Sequence, residues 1–295
     1  MRAPSALLSL ADLINAPAFT PPTRRRSKTG RPIAGLFGEG IHPGKRRGAG
    51  MDLDSIGVFQ DGDDPRHIDW SATARTGRPQ VRRFLTTVHR PLAILVDLRP
   101  SMYFGTAGGL LASRACLQAA ALSTHSRQRR EPSAICSFGT LRDNGHLVLK
   151  ASTSARARAL SLDKLFSDYQ AGLETPERES ASLAETLEQC WASLPFDFDI
   201  VVVSDFSNAD ERLGQVIALR RKQSVHALIV ADPVFKNGFK AGVYPGRAGP
   251  NATVEIYQLA TQSIKSQFEQ ISLWRNELVA RLERSGLGTI WDPTR

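Results

Sequence analysis

The chain has 295 residues, of which 41% are hydrophobic and 23% charged, with a formal net charge of +9. That length and apolar content suit one large domain, or one domain with a small companion, and exclude wholesale disorder. No apolar run approaches the ~20 residues that a membrane-spanning helix needs.

The first segment, SALLSLADLI, reads as a short amphipathic helix within residues 1–16 rather than a secretory signal. A cytoplasmic protein is therefore expected, and Cys116, Cys136 and Cys190, far apart and in no CxxC pair, read as buried thiols in a reducing compartment. Residues 17–50 carry Pro17, Pro21, Pro22, Pro32 and Pro43 among many glycines, and predict an extended linker. Gly57 to Phe84 is dense in turn residues, aspartate and arginine. Alternating strands and helices follow. Leu92–Asp97 is a continuous apolar strand. Thr106 to Arg130 is a helix with Leu110, Leu117 and Ala121 on one face. Ser133–Phe138 is a strand, and Leu147–Leu149 a short third one. Residues 156–170 look helical. Leu183, Leu187, Cys190, Trp191 and Leu194 form an apolar stripe on another helix. Asp199–Ser204 is the strongest strand signal. A helix at 210–221, strands at Val225–Val230 and Thr253–Tyr257, and a closing helix carrying Ile264, Phe268, Ile271, Leu278 and Leu282 complete the chain.

Apolar strands separated by helices of this length argue a mostly parallel sheet with helices on both faces. Functional loops then gather at the carboxyl ends of the strands. Asp97 and Asp205 each end such a strand and are expected to share one crevice.

Gly62-Asp63-Asp64-Pro65-Arg66-His67-Ile68-Asp69-Trp70, then Ala74-Arg75, Gly77 and Val81-Arg82-Arg83-Phe84, resemble the signature of the bacterial "domain of unknown function 58" family. Gly44 to Asp52 resembles its glycine-rich lead-in. Ser101-Met102 with Phe104-Gly105, Ser204-Asp205-Phe206 and Asp232-Pro233 resemble its later strand ends. The resemblance covers roughly residues 44–235. It implies an α/β, von Willebrand factor A-like (Rossmann-like) fold with a small N-terminal β-containing subdomain. The expected divisions are a helix and linker at 1–43, an Arg-rich signature subdomain at 44–90, the A-like domain at 91–235, and a C-terminal extension at 236–295. It also implies a MoxR-type AAA+ ATPase as partner, together with other proteins of one assembly or maturation pathway.

Von Willebrand A domains often hold a divalent ion through an Asp-x-Ser-x-Ser loop, a Thr and a further Asp. By resemblance Asp97, Ser101 and Asp205 match three of these positions, and Ser182 is a weak stand-in for the Thr. Arg99 stands at the first Ser position. A guanidinium is always charged and only donates, so it cannot ligate a cation. Two outcomes stay open. Arg99 neutralises Asp97 or Asp205 in a degenerate metal-ion-dependent adhesion site, or it swings outward and leaves weak Mg2+ or Ca2+ binding.

The signature also has two readings. As scaffold, Asp64 caps a helix that begins at Pro65, Ile68 and Trp70 bury, and Asp63, Asp69, Arg66 and Arg75 form ion pairs. As a docking surface, Gly62, Asp63, Asp64, Arg66, Asp69, Trp70, Arg75, Arg82 and Phe84 serve a partner, with Arg75, Arg82 and Arg83 exposed. No HExxH, nucleophile elbow or GxxxxGK[ST] loop is present, so a non-enzymatic interaction module is expected. The alternatives are a polyanion-binding protein using the basic clusters at 24–28, 45–47, 82–83 and 127–130, and a divalent-metal-binding A domain.

Overall fold

In chain order the elements are α1 (Leu10–Ile14), β1 (Pro43–Val58), a 3-10 turn (Pro65–His67), α2 (Trp70–Thr76), β2 (Gln80–Thr87), β3 (Leu92–Asp97) and a second 3-10 turn (Pro100–Tyr103). Then come α3 (Leu111–Gln128), β4 (Ser133–Phe138), α4 (Ala155–Glu174), α5 (Leu183–Ser193), β5 (Asp199–Ser204), α6 (Arg212–Ala218) and β6 (Val225–Ile229). The chain closes with β7 (Gly242–Gly246), β8 (Glu255–Leu259), α7 (Thr261–Arg284) and β9 (Thr289–Trp291). This computed structural model describes residues 8–20, 43–87, 91–105, 109–139, 150–174, 182–206, 212–220, 223–232, 242–246, 255–259, 261–287 and 289–291.

The chain divides into two compact units, Pro32–His89 on the one hand and Met1–Arg31 with Arg90–Arg295 on the other. The larger unit is built on a five-stranded sheet in the order β4-β3-β5-β6-β9, every pair parallel. Its strands are apolar on both faces because helices cover both. Every residue of β3, β5 and β6 is buried. Ala93, Leu95, Cys136, Ile200, Val202 and Ala227 share one face and pack with Leu187 and Trp191 of α5, Val216 of α6 and Leu282 of α7. Side chains alternate across a strand, so Ile94, Val96, Val201 and Val203 point the other way, where α3 packs on β3 and β5 and α4 packs on β4.

The α3 core stripe is Ala112, Ala115, Cys116, Ala119 and Leu122. The expected face was wrong: Leu117 lies on the outer side. Alanines carry the contact because small side chains let the helix approach the sheet closely, and a count of large apolar residues misses that. The short α1 carries a capping box between Ser9 and Asp12. It packs on α3 and α4. Leu13 is fully buried, and the following chain is tied down where the Phe19 amide donates to the Ala121 carbonyl at 3.0 Å. The expected helix over 1–16 is therefore reduced to Leu10–Ile14, with residues 1–7 outside the described set.

In the smaller unit β1 and β2 form an antiparallel pair with several register shifts. Residues 43–50, expected as linker, belong to β1, where β2 pairing supplies the backbone partners that their glycines could not secure alone. Residues 17–20 of the expected linker follow α1 without regular structure, while its residues 21–42 and the strand expected at 147–149 lie outside the described residues. The expected boundary at 235 falls inside the larger unit: Leu278, Val279 and Leu282 of α7 join its core, and β9 pairs with β6. The side chains of Ile264, Phe268 and Ile271 lie outside the described set.

Candidate functional site

The carboxyl edge of the sheet is organised around Asp97. Register pairs Val96 with Val203, which sets the ends of β3 and β5 level and brings Asp97 beside Ser204. The Ser204 hydroxyl donates to Asp97 Oδ2 at 2.7 Å. The chain then turns at Leu98, whose amide donates to the Phe138 carbonyl of β4 at 2.9 Å. That turn aims Arg99 back at the strand it has just left. Its backbone amide donates to Asp97 Oδ1 at 2.9 Å. Its Nε lies 3.0 Å from Oδ1 and 3.1 Å from Oδ2, and Nη2 lies 2.8 Å from Oδ2. Both side chains are sealed from solvent, at 0% exposure for Asp97 and 1% for Arg99.

An ionised carboxylate offers about four lone-pair sites. Here the Arg99 amide, two guanidinium nitrogens and the Ser204 hydroxyl take them up. A divalent cation would have to displace a fully buried guanidinium from both oxygens of Asp97. The residues present therefore do not fit a cation at this carboxylate. Among the described residues no cluster of three or more His, Cys, Asp and Glu side chains is placed to hold a metal.

Two backbone features shape the edge. Gly139 leaves β4 at φ +72°, and a Cβ there would stand 2.3 Å from Arg99 Cγ, so only glycine leaves the arginine its path. Phe206 follows β5 at φ +54° with its side chain buried, and its amide donates to the Ser204 hydroxyl at 3.0 Å. Ser204 thus joins a left-handed backbone turn to the Asp97–Arg99 pair.

The other expected members are placed less directly. Asp205 sits at the same edge, one residue beyond Ser204, and is half-buried. Ser101 lies in the second 3-10 turn, and its buried hydroxyl has no hydrogen-bond partner, so it does not join the Asp97 cluster. Ser182 caps α5, accepting from the Glu185 amide at 3.1 Å. Sequence reasoning quoted Ser204 at a strand end without giving it a role, and missed Gly139, which follows the strand read at Ser133–Phe138. It also missed a buried pair on the α3–α4 side of the unit, where the Ser137 hydroxyl donates to Asp168 Oδ2 at 2.5 Å. Burial, then the Asp168 charge, pushes the Cys116 thiol far above its ordinary range, so this cysteine is inert.

In the smaller unit the signature is largely a set of caps. Asp64 Oδ1 accepts from the Arg66 amide at 2.9 Å, and Pro65 opens the 3-10 turn, as expected from the sequence. Asp63 Oδ2 accepts from the Gln60 amide at 3.0 Å, around Gly62 at φ +101°. Asp69 caps α2: Oδ1 accepts from the Ala72 amide at 3.0 Å, while Oδ2 takes the Arg82 guanidinium at 3.0 Å. The Ala72 amide, then Arg82, holds the Asp69 carboxyl below its usual range. Gly77 ends the helix at φ +65°.

Two expectations are corrected. Asp69 pairs with Arg82 of β2, not with Arg66 or Arg75, because α2 starts against that strand. Arg75 Nε instead donates to the Ser71 carbonyl of its own helix at 3.3 Å. Trp70 is not buried; it is 73% exposed. The cap turns Asp69 inward, and the two-turn helix has one inward residue, Ala72, so the position between them faces solvent. Ile68 is half-buried. Arg83 and Phe84 lie in β2, but their side chains fall outside the described set.

A family model described as "Protein of unknown function DUF58" matches residues 56–270. Uncharacterized protein Rv1480 of Mycobacterium tuberculosis (strain ATCC 25618 / H37Rv) is 38% identical over 68 residues, which is 23% of this chain and 22% of that protein. Uncharacterized protein Mb1516 of Mycobacterium bovis matches to the same extent. The matched stretch thus spans about a fifth of these curated relatives. Among solved structures, the conserved hypothetical protein BatB from Bacteroides thetaiotaomicron is similar at a TM-score of 0.40 and 11% identity, covering 68% of this chain and 89% of that one. An aerotolerance-related membrane protein from Bacteroides fragilis is similar at a TM-score of 0.35 and 11% identity, covering 70% of this chain and 92% of that one.

Proposed function

From the premise that the chain belongs to the DUF58 family, as the match over residues 56–270 shows, we propose that it is a non-enzymatic protein-interaction module. It acts as adaptor or co-factor to a MoxR-type AAA+ ATPase in protein assembly or maturation. Its larger unit is a von Willebrand A-like domain whose ion site has been replaced by an internal ion pair.

The observation that carries this reading is the Asp97–Arg99 pair at the carboxyl edge of the sheet. In open parallel sheets that edge is where ligands bind. Here its central carboxylate is saturated by a buried guanidinium and a hydroxyl. A carboxylate so engaged cannot serve as a general base, which must hold an accepting lone pair toward substrate. It does give the edge a fixed shape that needs no ion. A partner that reads this surface therefore binds independently of divalent cations.

Two measurements test the reading. Full-length protein is mixed with the purified MoxR-type ATPase of the same organism, with and without EDTA. Co-elution unaffected by EDTA is expected, and absence of co-elution in both buffers rejects the adaptor role. Titration calorimetry with Mg2+, Mn2+ and Ca2+ should show no heat for the natural protein, whereas Arg99→Ser should gain binding. If that variant does not fold alone, a rise of its Tm with added cation reads the same gain. Stoichiometric cation binding by the natural protein rejects the replaced-site account.

A further inference from the structure

The smaller unit carries an apolar and cationic surface that its own folding does not use. Most of the signature residues have structural work: Asp64 and Asp69 cap, Gly77 terminates, Val81 is buried, and Arg82 neutralises Asp69. Trp70 has none of these tasks. It stands 73% exposed at the first position of α2. Ala74, one turn further along the same helix face, is exposed too. Ile56 and Val58 of β1 are 44% and 49% exposed. Register sets them opposite Arg82 and Gln80, so these four share one face of the hairpin. Since Arg82 holds Asp69, the residue before Trp70, α2 starts beside that face.

Three exposed large apolar groups within one small unit mark an interaction surface rather than ordinary surface chemistry. Among the described residues, the exposed carboxylates of this unit, Asp61 and Asp64, lie in the loop after β1, whereas the charges on and after α2 are cationic. Arg75 and Arg78 are exposed on α2 and just beyond its cap, while the carboxylate beside them, Asp69, is buried and already neutralised. Tryptophan and arginine together are the usual energetic anchors of protein interfaces. The aliphatic pair Ile56 and Val58 argues against nucleic acid, which is gripped by aromatic platforms and not by branched alkyl groups.

We propose that this surface docks an acidic, amphipathic segment of a protein partner. Leucine- or phenylalanine-type side chains of the partner cover Trp70, Ile56 and Val58, and its carboxylates meet Arg75 and Arg78. The inference rests on the interaction-module reading above and assigns it a place and a partner chemistry.

The test uses the full chain and a helical peptide of about 15 residues made of glutamate, leucine and one phenylalanine, with a lysine-for-glutamate twin as control. Fluorescence anisotropy of the labelled peptides reports binding. The glutamate peptide should bind and the lysine twin should not. Trp70→Ala, and separately the Arg75→Glu/Arg78→Glu pair, should each weaken binding at least about tenfold. Trp70→Ala should not lower the thermal midpoint, because no buried atom is removed, whereas the charge-reversed pair gives up the exposed Arg75–Ser71 bond and is read by affinity alone. Ala74→Glu, which adds an acid to the stripe, should weaken it as well. Unchanged affinity in Trp70→Ala or in the charge-reversed pair overturns the proposal, as does equal binding of the two peptides. Self-association that Trp70→Ala abolishes would make a second copy the occupant and overturn it. Tighter binding to phosphatidylserine vesicles or to single-stranded RNA, with the same variant dependence, would do so too. The two readings fail separately. If the ATPase does not bind while the peptide does, the adaptor role falls and the surface stands. If the ATPase binds Trp70→Ala as well as the natural protein, the surface falls and the adaptor role stands.

Discussion

Arg99 is held by shape as much as by charge. Its guanidinium meets both oxygens of Asp97, which a lysine ammonium at the end of a flexible stem does not reproduce. Removing the cation alone leaves a buried carboxylate short of its partner. Arg99→Met should therefore cost about 3–5 kcal/mol, read by urea denaturation. The Asp97→Asn/Arg99→Met double variant should cost less than the sum of the singles, since it removes the stranded charge. Additive losses would mean that the two groups do not act as a pair. Gly139→Ala tests the same contact from the other side. It combines a left-handed φ with a 2.3 Å approach to Arg99, and should destabilise by about 1–3 kcal/mol or more. A neutral result would show that Arg99 has another path.

At the scale of elements, caps do much of the organising. The carbonyls at the end of α5 are satisfied from a distance by the buried Arg220, which donates to the Trp191 and Leu194 carbonyls and lies over the rings of Trp191 and Phe196. Burial lowers its pKa. Arg220→Met keeps the stem and removes the donors, and should cost about 2–3 kcal/mol in the same denaturation experiment. In α2 the cap is titratable. Asp69 titrates below its ordinary value of about 3.9 because the Ala72 amide and Arg82 favour its charged form. Its contribution is present above that unfolded value and is lost as pH falls through the lower folded value. The Ala72 amide proton shift should therefore titrate with a midpoint below about 3.9, and Asp69→Asn should abolish the titration. A midpoint above that value contradicts the cap geometry.

For the molecule as a whole, the C-terminal segment is part of the larger unit and not an appendage. Leu278, Val279 and Leu282 complete the core on the α5–α6 face, and β9 covers the outer edge of β6. Ending the chain at residue 260 should abolish cooperative unfolding of the larger unit, seen by circular dichroism. A truncated chain that melts like the natural one would return this segment to the status of an extension. The family model ends at residue 270, before these contacts, so a domain cut at the family boundary should behave as poorly.

Local features were already written in the amino-acid order. The apolar runs at Leu92–Asp97, Asp199–Ser204 and Val225–Ile229 become the buried strands. Runs this apolar, interrupted only by His226 and by polar residues at their ends, have no exposed face to offer, so a sheet covered on both faces follows. The cap at Asp64 was equally legible, because a short side chain serves an amide only two residues away. Tertiary structure decided what depends on residues far apart in the chain. The Asp97–Ser204 bond spans 107 positions, and the Asp69–Arg82 pair, though near in sequence, depends on how β2 returns to α2. The exposure of Trp70, the alanine contact of α3 and the pairing of β9 each turn on which surface another element covers. No local pattern records that, because burial belongs to pairs of elements and is fixed only when they pack.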